Sequence, residues 1–143
     1  MEDISAPRCF TILERLEKEM SIPVFHDDQD GTAIVVLAAL INACRVTGKV
    51  MKELRIVISG AGAAGISITR LLLVEGIGGI IMLDSKGIIY DGRTGLNKYK
   101  QEIAQKTNKE KIKGEKEKAL IGADVYIGVS QPKQLSREMI KTM

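Results

Sequence analysis

Hydrophobic positions along this chain alternate between helical and strand-like spacing. Apolar residues recur every three or four positions over residues 10–20, which predicts an amphipathic helix capped by Ser5, with Pro7 in its first turn. A second helix, predicted from Thr32 to about Thr47, is apolar nearly all round. Because a helix without a polar face needs cover on every side, we expect it to be buried between other layers.

Short runs rich in β-branched residues predict three strands, at residues 54–58, 79–84 and 125–129. Helical segments at residues 66–75 and 115–121 lie between them. This alternation is typical of an α/β fold with a doubly wound parallel sheet of the Rossmann-like kind. We expect that sheet to be incomplete at both ends of the chain.

The composition is that of a globular protein with an aliphatic core. A hydrophobic content of 45% and a charged content of 27% exclude wholesale disorder, and aromatic residues make up only 3% of the 143 residues. The net charge of +3 is too small to indicate binding to nucleic acid or to a membrane. The apolar run at residues 33–44 is shorter than the roughly 20 residues that span a bilayer. These features predict a soluble protein.

The two cysteines indicate in which cellular compartment the protein resides. Cys9 and Cys44 lie on separate predicted helices, without the paired spacing of a metal site, so they are interpreted as reduced packing residues of a cytoplasmic protein. Three charged residues and a proline, Glu2, Asp3, Arg8 and Pro7, stand where a secretory leader would be apolar. We therefore expect no signal peptide.

A glycine-rich loop provides the first candidate site, and its residues are Gly60-Ala61-Gly62-Ala63-Ala64-Gly65. It follows a predicted strand and opens a helix, which is the context that makes this motif specific for dinucleotides. Gly60 permits a tight turn, Gly62 lets the pyrophosphate approach the backbone, and Gly65 lets helix and strand pack closely. The exposed amides and the helix dipole then bind the phosphates. The alternative is a tight turn that binds nothing.

Asp84 ends the next predicted strand, 19 residues after Gly65, where a carboxylate can accept hydrogen bonds from the ribose hydroxyls. Its charge favours NAD over NADP, because it repels a 2′-phosphate. Lys86 and Arg93 follow closely and could donate to such a phosphate, or could belong to an ordinary solvated turn. The residues favour NAD, with NADP tolerated.

Three aspartates, at positions 27, 28 and 30, lie in what we call the acidic elbow, residues 24–33. The positive end of the following helix explains one or two of these carboxylates better than three. If Glu2 and Asp3 return antiparallel to the elbow, five carboxylates would suit Mg²⁺ or Mn²⁺ rather than zinc. His26 is the only histidine, and a lone histidine is more often packed than a ligand. Both interpretations remain open from the residues alone.

Several motifs together resemble those of the bacterial malic enzymes, over essentially the whole chain. They are Glu2-Asp3-Ile4-Ser5-Ala6-Pro7, Pro23-Val24-Phe25-His26-Asp27-Asp28-Gln29 with Gly31-Thr32-Ala33, the glycine loop, Asp84-Ser85-Lys86-Gly87, and Ala123-Asp124-Val125-Tyr126-Ile127-Gly128-Val129-Ser130. That family oxidatively decarboxylates malate to pyruvate and CO₂ with NAD or NADP and Mg²⁺ or Mn²⁺. The resemblance implies this function, in a homodimer or larger assembly and without nucleic acid or membrane partners.

The resemblance also implies roles for individual residues. They are metal ligation by Glu2, Asp3 and Asp28, support of the catalytic groups by Asp27, pyrophosphate binding by residues 60–65, and ribose binding by Asp84. Residues 1–31 would be the metal-site segment that ends an N-terminal malic domain, and residues 32–143 a truncated NAD(P)-binding domain. The family's tyrosine and lysine, its acid and base, lie upstream of the Glu-Asp pair. We therefore expect the isolated chain to bind dinucleotide weakly and to turn over little malate.

Two features depart from the family pattern. Asp30 stands where the family usually has an uncharged side chain or a histidine, and residues 98–118 carry eight lysines and four glutamates. The second segment lacks interleaved aromatics, so it is interpreted as a solvated helix and loop. The alternatives to a malic enzyme are a cofactor domain of another dehydrogenase family and a non-catalytic dinucleotide-binding fragment.

Overall fold

Four strands form the central sheet of the computed structural model, which describes residues 1–143. They are β1 (Arg55–Ser59), β2 (Gly79–Asp84), β3 (Gly87–Ile88) and β4 (Val125–Gly128). Their order is β3-β2-β1-β4, with β1 parallel to both β2 and β4, and β3 antiparallel to β2. The three predicted strands and their parallel pairing are confirmed. The edge strand β3 was not predicted, because two residues are too few to show a period.

Six α-helices surround the sheet. They are α1 (Arg8–Glu19), α2 (Thr32–Thr47), α3 (Ala63–Val74), α4 (Lys98–Lys106), α5 (Lys116–Leu120) and α6 (Arg137–Lys141). The predicted helices are confirmed to within a few residues, although the cap of α1 is Pro7 and not Ser5. Side chains of Asn97 and Ser136 cap α4 and α6. Helix α4 falls within residues 98–118, the segment interpreted as a solvated helix and loop, whereas α6 is short and polar, so its apolar spacing was too weak to predict it.

Side chains of β1 and β2 alternate between two apolar clusters. Ile56 and Ile58 face the larger cluster, which includes buried residues of the helices α1, α2, α3 and α4. Val57 faces the smaller cluster on the other side of the sheet, where α5 contributes Ala119 and Leu120. Since successive side chains of a strand point to opposite faces, the sheet is covered on both. This is the doubly wound arrangement with an aliphatic core.

Helix α2 is more exposed than its sequence predicts. A π-helical turn over residues 27–31 continues into α2, so one helix of 21 residues runs over Asp27–Thr47. By length and composition it could cross a membrane, a property shared with core helices of soluble proteins. Only 11% of its most apolar window is buried, and Val35 and Val46 are 67% and 87% exposed. The prediction of complete burial is therefore wrong, since this chain covers α2 on one side only. The apolar run of residues 33–44 lies within a longer helix, so its own length does not decide whether the helix could span a membrane.

Contact between α1 and α4 depends on an aromatic pair. The ring centroids of Phe10 and Tyr99 lie 4.3 Å apart, and the Tyr99 hydroxyl lies 3.1 Å from Oγ1 of Thr11. Tyr99→Phe removes this hydrogen bond from a partly buried site, so we expect the free energy of unfolding to fall by about 1 kcal/mol. Urea unfolding measures it, with Tyr90→Phe as the control because the Tyr90 hydroxyl makes no hydrogen bond. Equal urea midpoints for the two variants would contradict the prediction.

Candidate cofactor and metal site

The glycine loop joins the carboxyl end of β1 to α3 in a tightly packed turn. Gly60 has a φ of +122°, and its amide donates to the Leu83 carbonyl at 3.0 Å. A Cβ on Gly60 would lie 2.8 Å from the Val129 carbonyl oxygen, and one on Gly65 would overlap the Gly60 carbonyl oxygen. A Cβ on Gly62 would meet nothing within 4 Å. The first and third glycines are therefore required by the fold, whereas Gly62 faces open space.

The backbone amides after this turn have no partner within the chain. The amides of residues 61–65 donate no hydrogen bond, and the first amide bonded to the loop is that of Ile66, at 3.1 Å from the Gly62 carbonyl oxygen. No side chain caps the helix. Free amides at a helix N-terminus attract anions, because they combine hydrogen-bond donors with the positive end of the dipole. Residues 61–65 thus offer a row of donors for phosphate.

A cleft of about 470 Å³ opens in front of these amides. Its walls come from the glycine loop, from the carboxyl ends of β1 and β2, and from residues 129–131 after β4. The chain runs from β1 to β2 and β3 on one side and then crosses back to β4 on the other side of β1, so the cleft lies at the topological switch point where α/β proteins bind ligands. Its position and size suit an extended nucleotide.

Asp84 lies at the edge of this cleft and is bound by two cations. Its Oδ2 accepts hydrogen bonds from Arg93 at 2.5 Å and from Lys100 at 2.8 Å, and its Oδ1 accepts one from the Lys86 amide at 2.9 Å. Burial raises the pKa of this carboxyl, but the hydrogen bonds and the positive charges outweigh it and hold the pKa at about 2. Asp84 is therefore ionised at neutral pH, with Oδ2 bound by the two cations and Oδ1 by a single backbone amide.

Of the two cations that contact Asp84, the sequence analysis named only Arg93, as a possible donor to a 2′-phosphate. Arg93 has a side chain only 10% exposed, so its interpretation as part of a solvated turn is wrong. Lys100 belongs to the segment of residues 98–118, which is otherwise largely exposed as predicted. Its 16-residue separation from Asp84 left no motif by which to find it. One carboxylate between two cations leaves a net positive charge beside the cleft.

The N-terminal residues run beside the acidic elbow. The Met1 ammonium group donates to the Phe25 carbonyl at 2.7 Å, and the Asp27 amide donates to the Met1 carbonyl at 3.1 Å. The Asp3 amide donates to Oδ2 of Asp28 at 3.0 Å. The predicted return of residues 2 and 3 to the elbow is therefore present in the backbone.

The acidic side chains share this region without converging on one point. Their oxygen donors suit Mg²⁺ or Mn²⁺ chemically, and the segments that bear Glu2, Asp3 and Asp28 are adjacent. No three acidic, histidine or cysteine side chains are grouped closely enough to hold a metal ion. Oδ1 of Asp28 makes no hydrogen bond. Metal ligation by these three residues remains a prediction.

Asp27 and Asp30 have different surroundings. Oδ2 of Asp30 accepts a hydrogen bond from the His26 amide at 3.0 Å, which gives this unexpected aspartate a capping role in the π-helical turn. The Asp27 side chain lies against Gly31, where any Cβ would overlap its carboxylate. Asp27 is otherwise exposed, and its supporting role in catalysis remains a prediction.

Comparison with known proteins shows the family to which the chain belongs. The family model described as "Malic enzyme, NAD binding domain" matches residues 29–143 of the chain. The chain is 51% identical over 144 residues to the bifunctional malic/malolactic enzyme of Bacillus subtilis strain 168, and covers 35% of it. It is 45% identical over 146 residues to the NADP-dependent malic enzyme of Rhizobium meliloti strain 1021, and covers 19% of it.

A solved structure shows the same fold. The NAD-dependent malic enzyme of Thermotoga maritima superposes on 99% of this chain with a TM-score of 0.95 and 51% sequence identity, and the chain covers 38% of it. The chain therefore spans less than two fifths of the length of the relatives it matches. Because the match extends over most of its residues, the chain belongs to the family of malic enzyme NAD-binding domains.

Proposed function

We propose that this chain is the dinucleotide-binding part of an enzyme that oxidatively decarboxylates malate to pyruvate and CO₂ with NAD or NADP. The observation that carries the proposal is the row of unpaired amides at residues 61–65, which opens into a cleft at the switch point of the sheet. The family match supports the choice of reaction. The alternative, a cofactor domain of another dehydrogenase family, does not agree with that match.

Each part of the cleft has a proposed task. The free amides of residues 61–65 hold the pyrophosphate, and Gly62 lets it approach the backbone. Asp84 faces the adenosine ribose through its Oδ1 side, while Arg93 and Lys100 fix its other oxygen. This arrangement orients the dinucleotide along the carboxyl ends of the strands.

We also propose that a divalent cation, Mg²⁺ or Mn²⁺, binds at the acidic elbow through Glu2, Asp3 and Asp28. The supports are the backbone pairing of residues 1–3 with the elbow and the all-oxygen donor set. When bound, such a cation polarises the oxygens of a hydroxy acid and of the ketone formed from it. Asp27, next to Asp28, supports the carboxylates that hold it.

An exchange experiment tests the proposed reaction. The corresponding segment of the Bacillus subtilis relative is replaced by this chain, and malate-dependent reduction of NAD and NADP is followed by absorbance. We expect measurable turnover, because the relative supplies the rest of its length. The same chimera with Gly62→Ala is the control. A chimera that binds dinucleotide without oxidising malate would contradict the proposal and favour a non-catalytic binding fragment.

The net positive charge beside Asp84 makes NADP acceptable to the site. Lys100→Met leaves Asp84 paired with Arg93 and removes the more exposed of the two cations, whose side chain is 23% exposed. We expect binding of NADP to weaken by about fivefold more than binding of NAD, since a charge-assisted bond to the 2′-phosphate is worth about 1 kcal/mol. Titration calorimetry measures both.

The matched control for this variant lies on the same helix. Lys106 pairs with Glu102 at 2.8 Å, away from Asp84, so Lys106→Met should leave both affinities unchanged. If Lys100→Met weakens NAD and NADP equally, Lys100 does not discriminate between the two cofactors.

We further propose that the protein forms a homo-oligomer and that it resides in the cytoplasm. The exposed apolar side of α2 is a surface that a second subunit could cover, which supports the proposed homo-oligomer. Both cysteines are free thiols, as expected of a protein in the reducing cytoplasm. Sedimentation of the chain over a range of concentrations tests the first of these proposals.

A further inference from the structure

A second cavity, of about 230 Å³, lies at the opposite end of the sheet from the dinucleotide cleft. It opens at the amino ends of β1 and β2, beside Arg55 and Gly79, which are paired in the register of the sheet. We call it the amino-end cavity. It shares none of its lining residues with the dinucleotide cleft, so the proposed reaction does not use it.

The floor of the amino-end cavity is apolar and buried. Val57, Ile81, Ala119 and Ala123 line it, all four belong to the smaller apolar cluster, and none is more than 8% exposed. For comparison, a cavity of about 150 Å³ lined by apolar side chains stays dry and binds benzene. The amino-end cavity therefore has room for a single ring with a small substituent.

Two glycines at the mouth keep the cavity open for different reasons. A Cβ on Gly79 would lie 2.5 Å from the Leu54 carbonyl oxygen, so the fold requires a glycine there. A Cβ on Gly78 would meet only the end of the Lys109 side chain, with Nζ at 3.0 Å, and a lysine side chain can move. The φ of Gly78 is not positive either. The fold therefore tolerates a side chain at Gly78, and its absence leaves the mouth open.

The mouth carries more positive than negative charge. Arg55 and Lys109 are its cations, and Glu110 is its only acidic residue. The Arg55 guanidinium lies 3.6 Å from Oε1 of Glu110, and these side chains are 44% and 65% exposed, so the pair is loose and solvated. Lys109 forms no ion pair within the chain. An unpaired cation beside an apolar floor favours an anion with an apolar body.

The turn that bears Lys109 is fixed by the residue before it. Asn108 is buried, and its amide donates to the Ile80 carbonyl at 2.8 Å. Its side chain donates to the Ile89 and Ile112 carbonyl oxygens at 3.2 and 2.8 Å and accepts from the Ile112 amide at 2.9 Å. Because the backbone at the mouth is already ordered, a ligand can bind there with little loss of conformational entropy.

We propose that the amino-end cavity binds a small monocarboxylate with an apolar body the size of one ring. The ring lies on the apolar floor, and the carboxylate lies at the mouth, between Lys109 and Arg55. Malate does not suit this floor, since it has two carboxylates and a hydroxyl group and no apolar body. The site is independent of the proposed reaction, because it lies at the other edge of the sheet.

Benzoate is a probe of this size and charge, and benzyl alcohol is its neutral counterpart. Methyl ¹H–¹³C spectra recorded during titration of the chain measure both the affinity and the place of binding. We expect ring-current shifts at the methyl groups of Val57 and Ile81, and binding of benzoate about tenfold tighter than that of benzyl alcohol. Shifts at Ala61 and Ala63 of the glycine loop instead, or equal affinities for the two ligands, would overturn the proposal.

Lys109→Met tests the role of the cation. The substitution keeps the length of an exposed side chain, so the stability should change little. We expect benzoate to bind about tenfold more weakly and benzyl alcohol to bind as before. Lys111→Met is the matched control, since Lys111 is exposed near the same turn but does not line the cavity. The same benzoate affinity in both variants would contradict the assignment of Lys109.

Gly78→Val tests the cavity itself. Its side chain should occupy the mouth and prevent binding of both ligands, with the circular dichroism and the NAD affinity of the wild type retained. A folded Gly78→Val chain that still binds benzoate would overturn the proposal.

The chimera with the Bacillus subtilis relative tests whether the cavity is open in a longer enzyme. We expect it to bind benzoate as the isolated chain does. Binding by the isolated chain alone would mean that another part of the enzyme covers the cavity, and this result would also overturn the proposal.

Discussion

Gly65→Ala is expected to remove a large part of the stability of the folded chain, whereas Gly62→Ala, three residues away in the same motif, is expected to fold and to lose dinucleotide binding. A Cβ on Gly65 would overlap the backbone carbonyl oxygen of Gly60, well inside the 3.0 Å that real Cβ contacts essentially never breach. Since the obstacle is backbone, relief requires movement of α3 away from β1. We expect a loss of at least about 3 kcal/mol, a large part of the stability of a small domain.

We expect Gly62 to be needed for dinucleotide binding but not for folding. Its φ of −95° suits any residue, and a Cβ there would meet nothing within 4 Å. The methyl group would instead occupy the space through which the pyrophosphate reaches the amides. Thermal unfolding and NAD titration of both variants provide the measurement. A Gly65→Ala chain as stable as the wild type, or a Gly62→Ala chain that binds NAD normally, would contradict this division of roles.

Asp84→Asn is expected to lower the free energy of unfolding by about 3 kcal/mol, because it leaves the largely buried Arg93 guanidinium without its counterion. Nη1 of Arg93 donates to the Gly87 and Ile88 carbonyl oxygens at 3.2 and 3.1 Å, which hold the guanidinium in place but do not neutralise its charge. Asp91→Asn, at an exposed position without an ion pair, should change the stability by less than about 0.5 kcal/mol. Urea unfolding at neutral pH compares the two.

The same pair predicts a dependence on pH. The pKa of Asp84 is about 2 in the folded chain against an ordinary value of 3.8. A carboxyl whose pKa is lower when folded stabilises the protein above its unfolded pKa, and that contribution disappears as the pH falls through the folded pKa. The stability difference between wild type and Asp84→Asn should therefore shrink by about 2 kcal/mol between pH 4 and pH 2. A difference that is constant over this range would contradict the assignment.

Much of the fold, and the glycine loop of the candidate site, were predictable from local patterns. The positions of β1, β2, β4 and α3 follow from runs of β-branched residues and helical spacing, and their parallel order follows from their alternation. The glycine loop was predictable because its requirements are local: a turn at positive φ, a close approach, and free amides at a helix start. Each of these depends on residues within six positions of one another.

The exposure of α2 could not be predicted in this way. Its apolar surface indicates that something covers it, but hydropathy does not say whether the cover belongs to this chain. Only the packing of Ala33 and Leu40 into the core, with Val35 and Val46 left outside, distinguished the covered side from the open one.

By itself, the sequence determined the α/β class, the dinucleotide loop and the acidic elbow, since these depend on neighbouring residues and on short periods. The tertiary structure alone decided the partners of the charged and polar side chains. Lys100 reaches Asp84 across 16 residues, and Ser67 reaches Gln29 across 38. Such pairs carry no periodic signal, because the path of the backbone between distant segments selects them.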